Sequence, residues 1–228
     1  MLQSESLQSL LDQTLEAYEL WAATYAPTPH NPLMRAEQAA MLEYWPDVEG
    51  RRALDLACGS GRYTALLARD QPDSVVALDF SAAMLRQVQG ANRVRASMMH
   101  LPFVAGSFDV AISGLALGHA PTLQPWVDEI SRVLDSSGVL LYSDFHPEAA
   151  RAGMVRSFQL DKSRTITLPH ACHEVAAQQH ALESAGFTVQ AMHELRVGQE
   201  FQEVFPGCDE FYRDWDGVPL LLIVRASK

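Results

Sequence analysis

A strand, a glycine-rich turn, a helix and a second strand that ends in a carboxylate follow one another between Ala53 and Asp79. The first strand is apolar and runs into Gly59 and Gly61, which lack a Cβ and therefore permit a tight turn close to a ligand. Asp79 follows the glycines by about twenty residues, the spacing at which a carboxylate accepts hydrogen bonds from a ribose diol. Because open α/β sheets bind ligands at the carboxyl ends of their strands, the segment predicts a nucleotide-type site.

A second carboxylate, Asp55, ends the first strand just before the glycine turn. A carboxylate there attracts a cationic ligand group and repels a pyrophosphate. The dinucleotide-binding fingerprint also requires a third glycine, and Thr64 occupies that place. The turn therefore favours a ligand with a nucleoside and a positive charge over a dinucleotide.

Strands alternate with helices along the rest of the chain, which indicates a parallel, doubly wound α/β sheet. Ser81 is a natural N-cap for a helix that ends by Gly90. The predicted strands are residues 52–56, 75–78, 94–96, 107–113, 139–143, 187–195 and 218–225.

Four segments of the chain resemble the class I S-adenosylmethionine (SAM) dependent methyltransferases. They are residues 55–61, residues 79–81, the leucine-proline-phenylalanine stretch at 98–103, and residues 129–141. The resemblance implies a seven-stranded Rossmann-like sheet of order 3-2-1-4-5-7-6, with the last strand antiparallel, and SAM as the cofactor. It is closest over residues 47–144.

The resemblance also implies which residues contact the cofactor. Ser97 stands where many relatives carry an acid that reads the adenine amino group, so a serine hydroxyl or the backbone near Met98 is expected to do so here. The predicted cofactor residues are Asp55, Ala57, Gly59, Gly61, Asp79, Phe80, Ser97, Met98, Gly114 and Tyr25.

We expect one methyltransferase domain over residues 1–228. It comprises a helical cap at 1–46, a SAM-binding core at 47–144, a substrate cap at 145–173, and a helix and strands at 174–228. Tyr18, Trp21 and Tyr25 share one face of an amino-terminal helix. They either pack against the sheet or form a lid over cofactor and substrate; similar segments occur in relatives that act on small molecules or carrier-bound acids.

Histidines are the natural candidates for a general base near neutral pH. His119 follows the fourth strand and His146 the fifth, so both are predicted at the catalytic edge of the sheet. His170 and His173 precede the sixth helix and are assigned to the substrate side, because no further ligand completes a metal site with them.

The chain carries a net charge of −11, which disfavours a nucleic-acid substrate. Its most basic stretch, residues 147–169, contains Arg151, Arg156, Lys162 and Arg164. Because the family builds its substrate cap there, we expect Arg151 and Arg164 to bind an anionic substrate group. The three cysteines form no CxxC pair, and no run of residues suits a signal peptide or a membrane span, so a reduced, cytoplasmic protein is expected.

The sequence thus predicts a SAM-dependent methyltransferase, a monomer or homodimer, that modifies a small molecule at a carboxylate or hydroxyl oxygen. Nucleic-acid and membrane partners are not expected. Two alternatives stay open: methylation of RNA or protein, and a SAM-binding protein without turnover.

Overall fold

A seven-stranded sheet forms the centre of the computed structural model, which describes residues 2–161, 163–198, 201–202 and 209–228, with the backbone alone for residues 2–10, 209 and 211. The strands are β1 (Arg52–Leu56), β2 (Ser74–Asp79), β3 (Asn92–Arg95), β4 (Phe108–Gly114), β5 (Leu134–Phe145), β6 (Ser157–Gln159), β7 (Thr165–Thr167), β8 (Thr188–Arg196) and β9 (Pro219–Ser227). The large sheet has the order β3-β2-β1-β4-β5-β9-β8, and β6 and β7 pair separately.

This topology confirms the predicted Rossmann-like sheet. With the β6–β7 hairpin left out of the count, the order becomes 3-2-1-4-5-7-6. The first five strands are parallel, whereas β9 runs antiparallel to both β5 and β8. The carboxyl ends of β1, β2, β4 and β5 therefore meet at one edge.

Helices cover both faces of the sheet. They are α1 (Leu2–Trp21), α2 (Pro32–Glu43), α3 (Arg62–Arg69), α4 (Ala82–Leu85), α5 (Leu123–Val133), α6 (Pro147–Arg151), α7 (Val175–Ser184) and α8 (Asp209–Trp215), with a 3₁₀ turn at Leu117–His119. No helix within these described ranges is long and apolar enough to cross a membrane.

Side chains of β1 contribute to a hydrophobic core on each face of the sheet, because successive side chains of a strand point to opposite sides. Leu54 and Leu56 pack with Trp126 of α5 in one buried cluster. Ala53 belongs to a second cluster, which includes Met41 of α2. Burying a side chain of this size contributes roughly 1.5–3 kcal/mol, so the two cores hold the strand ends in fixed positions.

Three elements differ from the sequence-based prediction. The Ser81 N-cap is confirmed, since its hydroxyl accepts from Met84 N at 3.2 Å, but α4 ends at Leu85 rather than near Gly90. Strand β5 is longer than residues 139–143, because it begins at Leu134, opposite Phe108, and its pairing with β9 continues to Phe145. The substrate-cap segment contains the β6–β7 hairpin, which no alternation in the sequence indicated.

Candidate active site

A cavity of about 300 Å³ lies at the carboxyl edge of the sheet, beneath α1. A cavity of this size is at the lower end of the range for small-molecule sites. The sheet side contributes Asp55, Ala57, Cys58, Gly59, Leu78, Asp79, Phe80, Ala96, Ser97, Met98, Met99, Gly114, Leu115, Ala116, His119 and Phe145. The helical side and the substrate-cap segment contribute Leu11, Thr14, Tyr18, Trp21, Tyr25, Asn31, Leu33, Met34, Arg62, Tyr63, Met154, Val155, Arg156 and Ser157.

The glycine turn after β1 is held by Asp79 across the sheet edge. Gly59 N donates to Asp79 Oδ2 at 2.8 Å, and Ser81 N donates to Asp79 Oδ1 at 2.8 Å. Gly59 has a φ of +55°, and a Cβ on it would approach the Tyr25 ring to 3.8 Å. Asp79 therefore orders the turn and at the same time presents a buried carboxylate to the cavity.

Two non-glycine residues adopt left-handed backbone conformations at this edge. Ala57 follows β1 with a φ of +57°, and Leu115 follows β4 with a φ of +56°. Such conformations cost of order 1–3 kcal/mol and cluster at functional sites. Both residues line the cavity, between the two strands where ligands bind in this class of sheet.

The two carboxylates of the site are almost fully buried. Asp55 is 1% exposed, and its Oδ2 accepts from the Thr64 hydroxyl at 2.5 Å. Burial raises the pKa of Asp55 to about 7 and that of Asp79 to about 6. The hydrogen bonds that both carboxylates accept lower their pKa values, but by less than burial raises them. A cationic ligand group would stabilise both carboxylates as anions. This donor set fits SAM, which has a ribose diol, an ammonium and a sulfonium.

A buried network fixes the wall beside the glycine turn. Arg62 Nη1 donates to Glu37 Oε2 at 2.6 Å, and the Tyr63 hydroxyl donates to Glu37 Oε1 at 2.7 Å. Ser143 of β5 donates to the same Oε1 at 2.5 Å. Arg62 and Tyr63 line the cavity, whereas Glu37 lies behind them, completely buried. No local pattern predicts this network; its one signal in the sequence is an acid among the apolar positions of α2.

Aromatic side chains of α1 and the following turn cover the cavity. The Trp21 ring stacks on Phe158 of β6 with centroids 4.2 Å apart and planes at 5°. Tyr25 packs against Trp21 at a centroid distance of 4.6 Å. Glu19 accepts from the Ser81 hydroxyl at 2.9 Å and from Ala83 N at 3.1 Å. These contacts attach α1 to α4 and to the hairpin.

A histidine and an arginine occupy the end of the cavity near β4 and β5. His119 Nε2 lies 2.8 Å from the Tyr18 hydroxyl and 2.9 Å from Arg156 Nη1. Arg156 Nη2 donates to Asp144 Oδ1 at 2.6 Å, and both side chains of this ion pair are 7% exposed. Burial, then the charge of Arg156, holds the pKa of His119 well below its usual range.

Most predicted cofactor residues line the cavity, but Gly61 does not. Gly61 has a φ of +93° and precedes α3, where a Cβ would meet Val88 at 3.2 Å. Its role is to close the turn against Val88. Of the predicted substrate residues, Tyr18 and Trp21 line the cavity.

The remaining predicted histidines lie outside the cavity. His146 is 2% exposed, and its Nδ1 caps α6 by accepting from Glu148 N at 3.2 Å. His173 Nε2 contacts the carbonyl of Ala120 at 2.8 Å. His170 lies beside Phe145, with the ring centroids 6.2 Å apart and the planes tilted by 44°. Within the described residues, no three His, Cys, Asp or Glu side chains gather closely enough to hold a metal ion.

Two of the predicted arginines also point away from the cavity. Arg151 is exposed and pairs with Glu174 Oε1 at 2.5 Å. Arg164 is exposed in the turn between β6 and β7, where its Nε pairs with Asp161 Oδ2 at 2.7 Å. Lys162 lies outside the described residues. Of the three described arginines of this stretch, Arg156 is the one that lines the cavity.

Comparisons with known proteins agree with this architecture. Residues 54–142 match the family model of a methyltransferase domain. An uncharacterised chloroplastic methyltransferase of Arabidopsis thaliana is 35% identical over 133 residues, 52% of this chain and 36% of that protein. A malonyl-[acyl-carrier protein] O-methyltransferase of Enterobacter lignolyticus is 34% identical over 131 residues, 54% of this chain and 52% of that protein. The matched segments thus span about a third to a half of these relatives.

A solved structure shows the same fold over most of the chain. The SAM-dependent methyltransferase of Mesorhizobium loti superposes with a TM-score of 0.71 at 22% identity, covering 85% of this chain and 98% of that one. The strand order, the glycine turn with its two carboxylates and the family match lead to one conclusion: residues 54–142 form a methyltransferase domain, within a fold shared with SAM-dependent methyltransferases, and SAM is the cofactor that its donor set fits.

Proposed function

We propose that this protein transfers the methyl group of SAM to an oxygen of a small-molecule acceptor. The observation that carries the proposal is the division of the cavity into two chemically different ends. Buried carboxylates and a glycine turn form one end, and aromatic and aliphatic side chains with Arg156 form the other. The first end suits a nucleoside with a cationic amino-acid tail. The second suits a compact, largely apolar acceptor.

The residues of the first end would hold SAM through charge and hydrogen bonding. Asp79 would accept from the ribose hydroxyls, and Asp55 would face the cationic end of the ligand. Phe80 and Met98 supply apolar surface beside the β2 and β3 ends, where Ser97 also lines the cavity. When bound, SAM supplies a methyl group already activated by its sulfonium. The chain then has to align the acceptor and exclude water.

The enclosure of the cavity favours a small acceptor over a macromolecule. Trp21 and Phe158 close one side by stacking, and Tyr18 reaches His119 on the other. A nucleic-acid substrate is further disfavoured by the net charge of −11. The relative from Enterobacter lignolyticus is an O-methyltransferase, which supports an oxygen acceptor here. Malonyl-[acyl-carrier protein] is the acceptor of that relative.

Binding and transfer can be tested separately. Calorimetry with SAM and with its demethylated product should show binding, and Asp79→Ala should weaken it about tenfold to a hundredfold, since charged hydrogen bonds contribute about 1.5–3 kcal/mol. Asp47→Ala, at an exposed carboxylate in the turn before β1, is the control and should leave affinity unchanged. Methyl-labelled SAM offered with acids, alcohols, phenols, amines, bulk RNA and protein should label a small oxygen acceptor.

The outcomes distinguish the three functions. Label in RNA or protein alone would establish the macromolecular alternative. Tight binding without label in any class would indicate a SAM-binding protein without turnover. Absence of binding would contradict the proposal at its first step.

A further inference from the structure

We propose, on the basis of the proposed function, that the acceptor is a carboxylate and that Arg156 binds it, so that the oxygen arrives already ionised and no general base is needed. Three features of the cavity support this role: the contacts of Arg156, the contacts of His119, and the set of titratable groups that share the cavity with them.

Arg156 is a cation fixed in the cavity wall. Its Nη1 donates to the carbonyl of Leu115 at 2.5 Å, its Nη2 donates to Asp144 Oδ1 at 2.6 Å, and its Cζ lies 4.6 Å from the centroid of the Phe145 ring. Asp144 does not line the cavity, so the carboxylate of the pair lies behind the guanidinium. The positive end of the pair therefore faces the acceptor end.

One donor of this guanidinium remains without a protein partner. Arg156 Nε is shielded from solvent and makes no hydrogen bond within the part of the chain that the structure describes. A buried donor left unsatisfied is costly, and native structures rarely leave one so unless a ligand or water completes it. A carboxylate oxygen is the acceptor that an arginine binds best.

His119 is held in a form that cannot remove a proton. An arginine side chain only donates, so His119 Nε2, 2.9 Å from Arg156 Nη1, has to be the unprotonated nitrogen. Its single lone pair is already engaged by Arg156, and the Tyr18 hydroxyl lies 2.8 Å away as a second neighbour. The imidazole is therefore neutral, and its basic nitrogen is unavailable to a substrate. His119 acts as a positioning residue for Arg156 and Tyr18.

The other titratable groups of the cavity do not replace it as a base. The described lining residues with such groups, besides His119 and Arg156, are Tyr18, Tyr25, Asp55, Cys58, Arg62, Tyr63 and Asp79. Asp55 and Asp79 lie at the glycine turn, at the opposite end. Burial raises the pKa of Tyr18, Tyr25 and Tyr63, which keeps these phenols protonated near neutral pH.

A carboxylate acceptor makes the transfer balanced without any proton movement. The acceptor oxygen forms the new C–O bond as the C–S bond breaks, and the electron pair of that bond stays on sulfur. The products are a neutral methyl ester and the demethylated thioether. Because an anion and a cation are consumed together, a largely apolar cavity favours the reaction over water.

The test offers monocarboxylic acids of increasing chain length and benzoate, each beside its alcohol and amide, with methyl-labelled SAM at saturation. Methyl esters should form, at a rate that stays flat between pH 6 and 8, because a carboxylate is ionised throughout. Binding of the best acid is measured by calorimetry on protein saturated with the demethylated product. That titration reads acceptor recognition without turnover.

The variants separate binding from structure. Arg156→Gln combined with Asp144→Asn keeps the buried pair neutral, and should weaken acid binding and raise KM about tenfold to a hundredfold, with affinity for the demethylated product unchanged. Arg156→Lys should recover part of the loss. His119→Gln keeps an acceptor for Arg156 and should lower the rate less than tenfold. Arg69→Gln, at an exposed arginine at the end of α3, is the matched control.

Three other outcomes would contradict the carboxylate acceptor, the role of Arg156 or the transfer itself. Transfer only to the alcohols, with a rate that falls on acidification and a 10²–10⁴-fold loss in His119→Gln, would restore the histidine base and leave the proposed function standing. If the Arg156 variants form methyl esters as well as the unmodified protein does, Arg156 does not bind the acceptor. No transfer to any class would overturn the proposed function itself.

Discussion

Tyr18 and His119 are separated by 101 positions in the sequence, yet the Tyr18 hydroxyl oxygen lies 2.8 Å from His119 Nε2. The two rings meet edge to face, with centroids 5.3 Å apart. This contact joins α1 to the 3₁₀ turn after β4, directly above the cavity. The aromatic face of α1 thus forms the roof of the cavity, the position that the lid hypothesis requires.

We expect ligand binding to stabilise this roof. Hydrogen exchange in residues 11–25 should slow when the demethylated product is bound, because the ligand fills the space beneath Tyr18 and Trp21. Phe158→Ala removes the stacking partner of Trp21 and should accelerate exchange in α1 of the free protein, whereas β1 should exchange as before. Exchange that is equally slow in α1 with and without ligand would contradict the lid.

The buried carboxylates predict a pH-dependent affinity for SAM. With the pKa of Asp79 raised to about 6 and that of Asp55 to about 7, both are largely protonated at pH 5.5 in the free protein. A cationic ligand favours their ionised forms, so binding should release protons and affinity should rise as pH increases to about 7. The slope is at most about tenfold per pH unit for each carboxyl.

Calorimetry in buffers of different ionisation enthalpy measures this proton release directly. Asp55→Asn should remove the upper part of the dependence. The same shifts mean that the free protein binds more protons than its unfolded chain between pH 3.8 and about 7, so its free energy of unfolding should fall as pH rises through that window. An affinity that is flat between pH 5.5 and 7.5 would contradict the assigned shifts.

The elements found from the sequence are those with local signals. The glycine turn, the acids at the ends of β1 and β2 and the Ser81 cap each follow from residues a few positions apart. The sheet order followed from the family resemblance. The β6–β7 hairpin could not be predicted, because its three-residue strands are too short to show alternation. Their pairing is seen only in the structure.

The acceptor side depended on contacts between distant segments. Sequence placed His119 and His146 equally at the sheet edge, but only the structure shows that Arg156 engages the first and that the second caps α6. Among the basic residues of 147–169, the sequence favoured Arg151 and Arg164 for the substrate, whereas the structure places Arg156 at the cavity, because burial against the sheet edge rather than composition selects it. Position along the chain identifies the edge of the sheet but not the direction of a side chain.

The Glu37 network should be a large contributor to stability. Glu37→Ala leaves the buried Arg62 without its carboxylate and removes the acceptor of Tyr63, and breaking a buried ion pair from one side costs about 3–5 kcal/mol. Denaturant unfolding measures the loss. The control is Glu174→Ala, which breaks the exposed pair with Arg151 and should cost at most about 1 kcal/mol. Similar midpoints for both variants would contradict the assigned role.

Gly114, at the end of β4, should tolerate no side chain for a steric reason. A Cβ there would lie 2.2 Å from Tyr63 Cε2, 2.9 Å from Cδ2 and 3.1 Å from Glu37 Oε1. The ring cannot retreat without disturbing the 2.7 Å bond between its hydroxyl and Glu37. The φ of Gly114 is not in the left-handed region, so the expected defect is overpacking rather than backbone strain.

Gly114→Ala should therefore lower the free energy of unfolding by about 1–3 kcal/mol. Because Gly114 also lines the cavity, affinity for the demethylated product should fall with it. Gly198→Ala is the matched control, since a Cβ there meets no atom of the described residues within 4 Å. That variant carries the same entropic gain of about 0.4–1 kcal/mol from a stiffer unfolded chain. Equal denaturation midpoints for the two variants would show that the Tyr63 ring can move aside, and that the wall behind the glycine turn is less rigid than its hydrogen bonds indicate.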